Sequence, residues 1–273
     1  MQQQKSTLYR NNYWFLVLEG AFFMGAIGFY NAGTVIPVFI NSITGSKQLV
    51  GLTLTLGSAF MYLFRLFIGP FVPHIKNHTR FTTLVMFLTR PLLLIPSIFI
   101  FNGRNQAAVI VLIVAYAALW ACDGMVVPVW SEVLANTVDE NRHGRLLGSQ
   151  MLLGGLAGIG AGILINVFLS NPLFDSTMAY GWIFLTGGVL ATLSCVMMAL
   201  TKDAPHPYKT GKVNIIAYFR VLPKHLKNEK GYAKMMPVQF LFLSATMCNP
   251  FFILFAGESL AIPQNIIAKL ILA

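Results

Sequence analysis

The sequence predicts an all-α fold, a polytopic bundle of membrane helices, and three observations carry that reading. Seven apolar stretches each supply roughly the 20 residues that a helix needs to cross hydrocarbon. The chain is 56% hydrophobic and 10% charged over 273 residues, with a mean hydropathy of +0.68, which leaves too little polar surface for a water-soluble globule of this size. The runs are also continuous and do not alternate, so they read as helices and not as the strands of a closed barrel, the other structure that satisfies every backbone group in lipid.

Taken in order, the expected spans cover residues 14–40, 51–72, 81–101, 107–134, 146–169, 181–200 and 236–256. The first is longer than a signal-peptide core and no small-residue cleavage pattern follows it, so it is expected to stay in the mature chain. Connections such as 41–50 and 102–106 are short, which makes successive spans antiparallel neighbours in one bundle. The exception is 201–235, a basic segment holding Pro205, Pro207 and Pro223. An amphipathic helix is expected near 213–225, its Ile216, Phe219 and Val221 resting on the membrane surface. A final apolar run, 262–273, is too short for a full crossing. The expected organisation is therefore a six-helix bundle over 1–200, a basic linker over 201–235 and the incomplete start of a second bundle over 236–273.

The net charge of +10 invites a nucleic-acid reading, but the placement of the charges argues for a membrane orientation signal. Fourteen basic residues fall on one side: Lys5 and Arg10, Lys76 and Arg80, Arg142 and Arg145, and eight in the long linker. The other side holds Lys47, Arg104 and Lys269, while Arg65 and Arg90 lie within spans. Excess Lys and Arg mark cytoplasmic loops, so the N-terminus and the linker are expected in the cytoplasm of a multi-pass protein of the plasma (cell inner) membrane, with the lipid bilayer as partner and no nucleic acid.

Catalytic signals are missing from the sequence. Cys122, Cys195 and Cys248 all lie in expected spans without metal-ligand spacing, and the five histidines fall in loops. There is no phosphate-binding loop, no His-Glu-x-x-His and no nucleophile elbow. No enzyme activity, cofactor or metal is expected.

The stretch from Pro128 to Gly148, with Arg142, Gly144 and Arg145 forming an Arg-x-Gly-Arg turn ahead of a glycine-rich fifth span, resembles the fourth span and following loop of the major facilitator superfamily. The six-linker-six layout extends the resemblance over most of the chain. It implies a secondary transporter of two six-helix halves with a solute site between them near the bilayer midplane. It also implies that this chain holds one complete half, is truncated in the second, and does not transport alone. Two departures from the family pattern are visible. Pro73 stands where the loop after the second span usually carries an acid, so this chain lacks the acid of that loop's usual salt bridge, and the fifth span lacks the Gly-Pro pair of drug–proton antiporters.

Within the fifth span, Gly154, Gly158 and Gly162 recur every fourth residue, a stripe that lets a neighbouring helix approach closely, with a sliding role in alternating access as an extension. Charges inside spans are costly and tend to face a partner or a water-filled cavity. Arg90 lies about 13 Å from the start of the third span and Asp123 about 16 Å from the end of the fourth, so they are expected to pair, with Glu19 and Arg65 as a second pair. Each pair reads as a structural bridge that fixes helix register. The resemblance places the first and fourth spans beside the central cavity, which makes Asp123, Trp120, Tyr30 and Asn31 the expected solute or proton path. The competing function is a non-transporting membrane protein, receptor-like, scaffolding or a transporter remnant.

Overall fold

The computed structural model describes residues 2–203, 207–211, 213–246, 251–252 and 255. No strand occurs among them. Six helical segments are long and apolar enough to cross a membrane: Asn11–Phe29, Lys47–His74, His78–Phe101, Asn105–Thr137, Glu140–Ser170 and Ser176–Leu200.

The first span, expected as one helix, is broken. Helix α1 (Gln2–Phe29) stops, and α2 (Val35–Thr44) resumes after a turn. Asn31 accounts for the break: its side chain accepts from the Gly33 amide at 2.8 Å and its carbonyl accepts from Ile36 N at 3.2 Å, local bonds that compete with helix continuation. Helix α3 (Lys47–Ile68) starts at Ser46, whose hydroxyl accepts from Leu49 N, and runs into a 3-10 turn over Gly69–His74. The third span is also interrupted. Helix α4 (His78–Thr89), capped by Asn77, passes through a 3-10 turn at Arg90–Leu94 into α5 (Ile95–Phe101). Pro91 and Pro96 each remove an N–H donor there, which tightens the helix locally.

Helix α6 (Asn105–Thr137) is 33 residues long, about 50 Å at the helical rise. Helices α7 (His143–Ser170) and α8 (Ser176–Leu200) complete the bundle. Around its circumference the order is α3, α6, α4 with α5, α8, α1, α7. The two ends of that open array are the least covered: the apolar windows of α3 and α7 are 17% and 22% buried, against 56% for α1 and α6.

The α1–α7 contact is close at one of the expected glycines, Gly154, and at three others, on α1, whereas a Cβ on Gly158 would meet nothing within 4 Å. Gly154 lies against Met24, Gly162 is buried, and on α1 Gly28 sits so close that an added Cβ would stand 2.9 Å from Ala161 Cβ, with Gly158 beyond it. Gly20 and Gly25 make similar approaches to Gln150 and Ala157. At the end of the bundle that carries the basic loops, Asn12 is buried and acts as a clip. Its amide donates to the carbonyls of Lys202 (2.9 Å) and Thr137 (3.3 Å), and its oxygen accepts from Lys202 N (3.0 Å).

Beyond the bundle lie α9 (Ile215–Asn228) and α10 (Lys230–Thr246). The Phe219 ring packs edge-on against Phe67 at 5.9 Å, while Ile216 and Val221 are exposed. The helix expected from residue 236 already begins at Lys230. The rest of that seventh span apart from residues 251–252 and 255, with Cys248 in it, and the run 262–273 lie outside the described residues.

Candidate transport site

Two apolar clusters fill the bundle, and a thin polar layer separates them. On α1 the clusters are Tyr13, Leu16 and Val17 on one side and Ala26, Phe29 and Tyr30 on the other, with Glu19 between. On α8, Ser194 lies between Ala191 and Cys195; in the third span, Arg90 lies between Met86 and Leu93. On α6, Asp123 follows Cys122, the first residue of the second cluster after Leu119 of the other. Four helices thus place one polar side chain each at one depth.

Arg90 is 2% exposed, and its surroundings compensate the charge. Nη1 donates to Glu19 Oε1 at 3.1 Å and also to the Ser194 hydroxyl. The guanidinium carbon stands 4.1 Å above the Phe23 ring, a cation–π contact that gains from the absence of water. Arg90 Nε has no partner among the described residues. The Trp130 indole lies beside Glu19 but outside hydrogen-bond geometry, and its N–H is also unpartnered.

This corrects the expected pairing. Arg90 joins Glu19, not Asp123, and Glu19 is not joined to Arg65. Counting residues from the ends of spans gives depth but not azimuth: Arg90 reaches Glu19 on α1 and Ser194 on α8, although its 3-10 turn and α4 also pack against α6. Asp123 lies within electrostatic reach of both Arg90 and Arg65, but forms a direct ion pair with neither.

The α3–α6 seam is held by glycines. A Cβ on Gly124 would collide with the Met61 carbonyl, and one on Gly57 would stand 2.7 Å from Tyr116 and 2.9 Å from Trp120. Tyr116 and Trp120 meet edge to face at 5.9 Å, and Asp123 continues the same face of α6 at i+7 and i+3. Trp120 and Asp123 are half-buried; the Trp120 indole N–H has no partner among the described residues.

The other expected path residues lie elsewhere. Tyr30 is buried, stacked on Phe184 at 5.2 Å, with its hydroxyl shared between the carbonyls of Leu93 and Phe184. It ties the break in the first span to the turn in the third and to α8. Asn31 is exposed and engaged with its own turn. Arg142, Gly144 and Arg145 are exposed around the start of α7, where the Arg145 carbonyl accepts from the Tyr13 hydroxyl at 3.4 Å. Sequence reasoning missed Ser194, Phe23 and Trp130: a single serine and two aromatics in apolar spans give no spacing signal. No group of acids, histidines and cysteines among the described residues could hold a metal ion.

The sequence model of the Major Facilitator Superfamily matches residues 18–267. That match spans most of the chain, across every helix of the bundle. The chain belongs to the major facilitator superfamily. No curated protein and no solved structure gives a match. As a facilitator-family member it is an integral multi-pass membrane protein of a transporter family, and the polar layer lies within its helical bundle.

Proposed function

We propose that this facilitator-family chain moves a small solute by alternating access, and that Asp123 is the group that takes the solute or a coupling proton. The observation that carries this is a contrast between two carboxylates at one depth. Glu19 is joined to Arg90, whereas Asp123 has two cations nearby and no direct partner among the described residues. A charge left open inside a span is costly unless a ligand, a proton or cavity water meets it. Trp120, one turn away on the same face of α6, adds an apolar face and an indole N–H with no partner among the described residues.

In this reading Glu19, Arg90 and Ser194 hold α1, the third span and α8 in register. Residues 1–200 form one half, 201–235 the linker and 236–273 the start of the second half. The poorly covered helices α3 and α7 support a second bundle resting there. The basic end, with the N-terminus, faces the cytoplasm. The direct test is counterflow of a solute panel in proteoliposomes. Asp123→Asn should remove saturable exchange of any solute the unmodified protein carries or, where Asp123 carries a coupling proton, uptake driven by a pH gradient, with its melting temperature little changed. Exchange and pH-driven uptake both unaltered in Asp123→Asn would move the site elsewhere.

A further inference from the structure

We propose that Arg65 completes the site of Asp123 and that the solute is a zwitterion, its carboxylate on Arg65 and its ammonium on Asp123, as in a free amino acid with an apolar side chain. This rests on the reading of Asp123 as the solute group and names the class of solute.

The surface of α3 carries the first observation. Two stripes of that helix are uncovered, and they differ in chemistry. Leu52, Leu63, Leu66 and Phe67 form an apolar stripe of the kind that meets lipid. Beside it Thr55, Ser58, Tyr62 and Arg65, spaced three and four residues apart, form a polar one. Thr55, Ser58 and Tyr62 are exposed, and their hydroxyls make no hydrogen bond among the described residues. An unmet hydroxyl in hydrocarbon is costly, so this stripe does not face lipid.

Its two ends show what it faces instead. One turn before Thr55, a Cβ on Gly51 would stand 3.6 Å from Phe251 Cζ of the seventh span; one turn after Arg65, a Cβ on Gly69 would stand 2.7 Å from the Tyr218 hydroxyl of α9. The polar stripe therefore lies between a contact with the second bundle and a contact with the linker, on the side of α3 that looks across to the second half.

Asp123 stands beside this stripe. A Cβ on the adjacent Gly124 would stand 3.2 Å from the Arg65 backbone nitrogen, so the two charges share one level of the α3–α6 seam, yet they form no ion pair. Of the Arg65 side chain only Nε is sealed. Its terminal nitrogens and both Asp123 oxygens belong to half-buried side chains, carry no hydrogen bond among the described residues and stay open to a ligand. Val127, one turn from Asp123 towards the basic end, is exposed, as is Ser131 one turn further, which leaves the approach to Asp123 open from that end.

Charge then decides the class of solute. Arg90 is already met by Glu19, so Arg65 and Asp123 remain as one open cation and one open anion. An anionic solute would meet Asp123 and a cationic one Arg65, while a neutral one would leave both charges uncompensated once water is excluded. A zwitterion meets each with a charge-assisted hydrogen bond. The face of Trp120, one turn from Asp123, suits an apolar body.

Access and solute class are tested in a background without Cys122, Cys195 and Cys248. In open membrane fragments a charged methanethiosulfonate should modify Ser58→Cys and spare Leu63→Cys, because a thiolate does not form in lipid; equal rates overturn the polar path. Protection of Ser58→Cys is then measured with leucine, phenylalanine and tryptophan, with their amides as cations and with their N-acetyl derivatives as anions. At least one amino acid should protect about tenfold more tightly than either of its derivatives. Arg65→Gln breaks no ion pair and should keep the melting temperature while abolishing the preference over the amide; Asp123→Asn should abolish the preference over the N-acetyl form. No protection by any of the three amino acids, equal protection by a derivative, or a preference unchanged in Arg65→Gln overturns the proposal. Protection by a cation alone, lost in Asp123→Asn and kept in Arg65→Gln, overturns the zwitterion but leaves Asp123 as the solute group, whereas protection unaltered in Asp123→Asn sinks that reading as well.

Discussion

Glu19 and Arg90 meet at 3.1 Å in the middle of the bundle, from positions 71 residues apart in the chain. Each side chain is nearly inaccessible, 6% and 2% exposed. Between them they join the first and third spans, and Ser194 extends the link to the sixth. In an apolar bundle such a pair contributes mainly through what happens when one member is lost, because a lone buried charge keeps its desolvation cost without compensation.

Glu19→Gln or Arg90→Gln alone should therefore destabilise the protein by about 3–5 kcal/mol, and the double variant should recover part of that loss. Thermal melting in detergent reads the cycle. The same cycle run on Arg90 and Asp123 should give the smaller coupling energy, since those two groups interact only at a distance. A larger coupling for Asp123 than for Glu19 would restore the pairing expected from depth alone.

The α3–α6 seam makes a second, purely steric prediction. A methyl group at Gly124 would drive into the Met61 carbonyl, a backbone atom that cannot rotate away, whereas nothing lies within 4 Å of one at Gly155. Gly124→Ala should cost about 1–3 kcal/mol, the range for overpacking, and Gly155→Ala should be neutral or slightly stabilising. Equal melting temperatures for the two variants would mean that α3 and α6 do not approach as closely as described.

Orientation yields a third. In a background without Cys122, Cys195 and Cys248, single substitutions Lys209→Cys and Ser176→Cys lie at opposite ends of the bundle, at the basic linker and at the start of α8. An impermeant thiol reagent applied to intact cells should label Ser176→Cys alone. Labelling of Lys209→Cys from outside would reverse the orientation that the excess of basic residues implies.

The helix content and the order of the spans were legible because hydropathy reports the one property lipid demands of every crossing. The breaks at Asn31 and at Arg90–Leu94 were not, since apolar residues on both sides hide them: Asn31 looks like one more polar residue, and prolines are common in membrane helices. In the polar layer, Glu19, Arg90 and Asp123 stood out as charges in hydrocarbon, and their shared depth could be counted. Which of them touch depends on how each helix is rotated, and only packing fixes that. Arg90 therefore went to the wrong partner, and Ser194, one hydroxyl among apolar neighbours, went unnoticed.

The last prediction separates the two carboxylates by role. If Glu19 serves register and Asp123 serves the solute, then neutralising each should affect different measurements. Glu19→Gln leaves Arg90 with Ser194 and the Phe23 ring but without a counter-charge, so stability should fall, with transport of the surviving protein reduced in amount and not in apparent affinity. Asp123→Asn removes a charge that has no direct partner to strand, so melting should stay within about 1 kcal/mol of the unmodified protein. Its counterflow activity should nevertheless be lost, or, where the residue carries a proton, uptake driven by a pH gradient should fail while solute exchange at equal pH survives. Melting temperature and counterflow measured on the same preparations decide the matter. Loss of stability in Asp123→Asn as large as in Glu19→Gln, with exchange intact in both, would make the whole layer structural and place the solute site elsewhere.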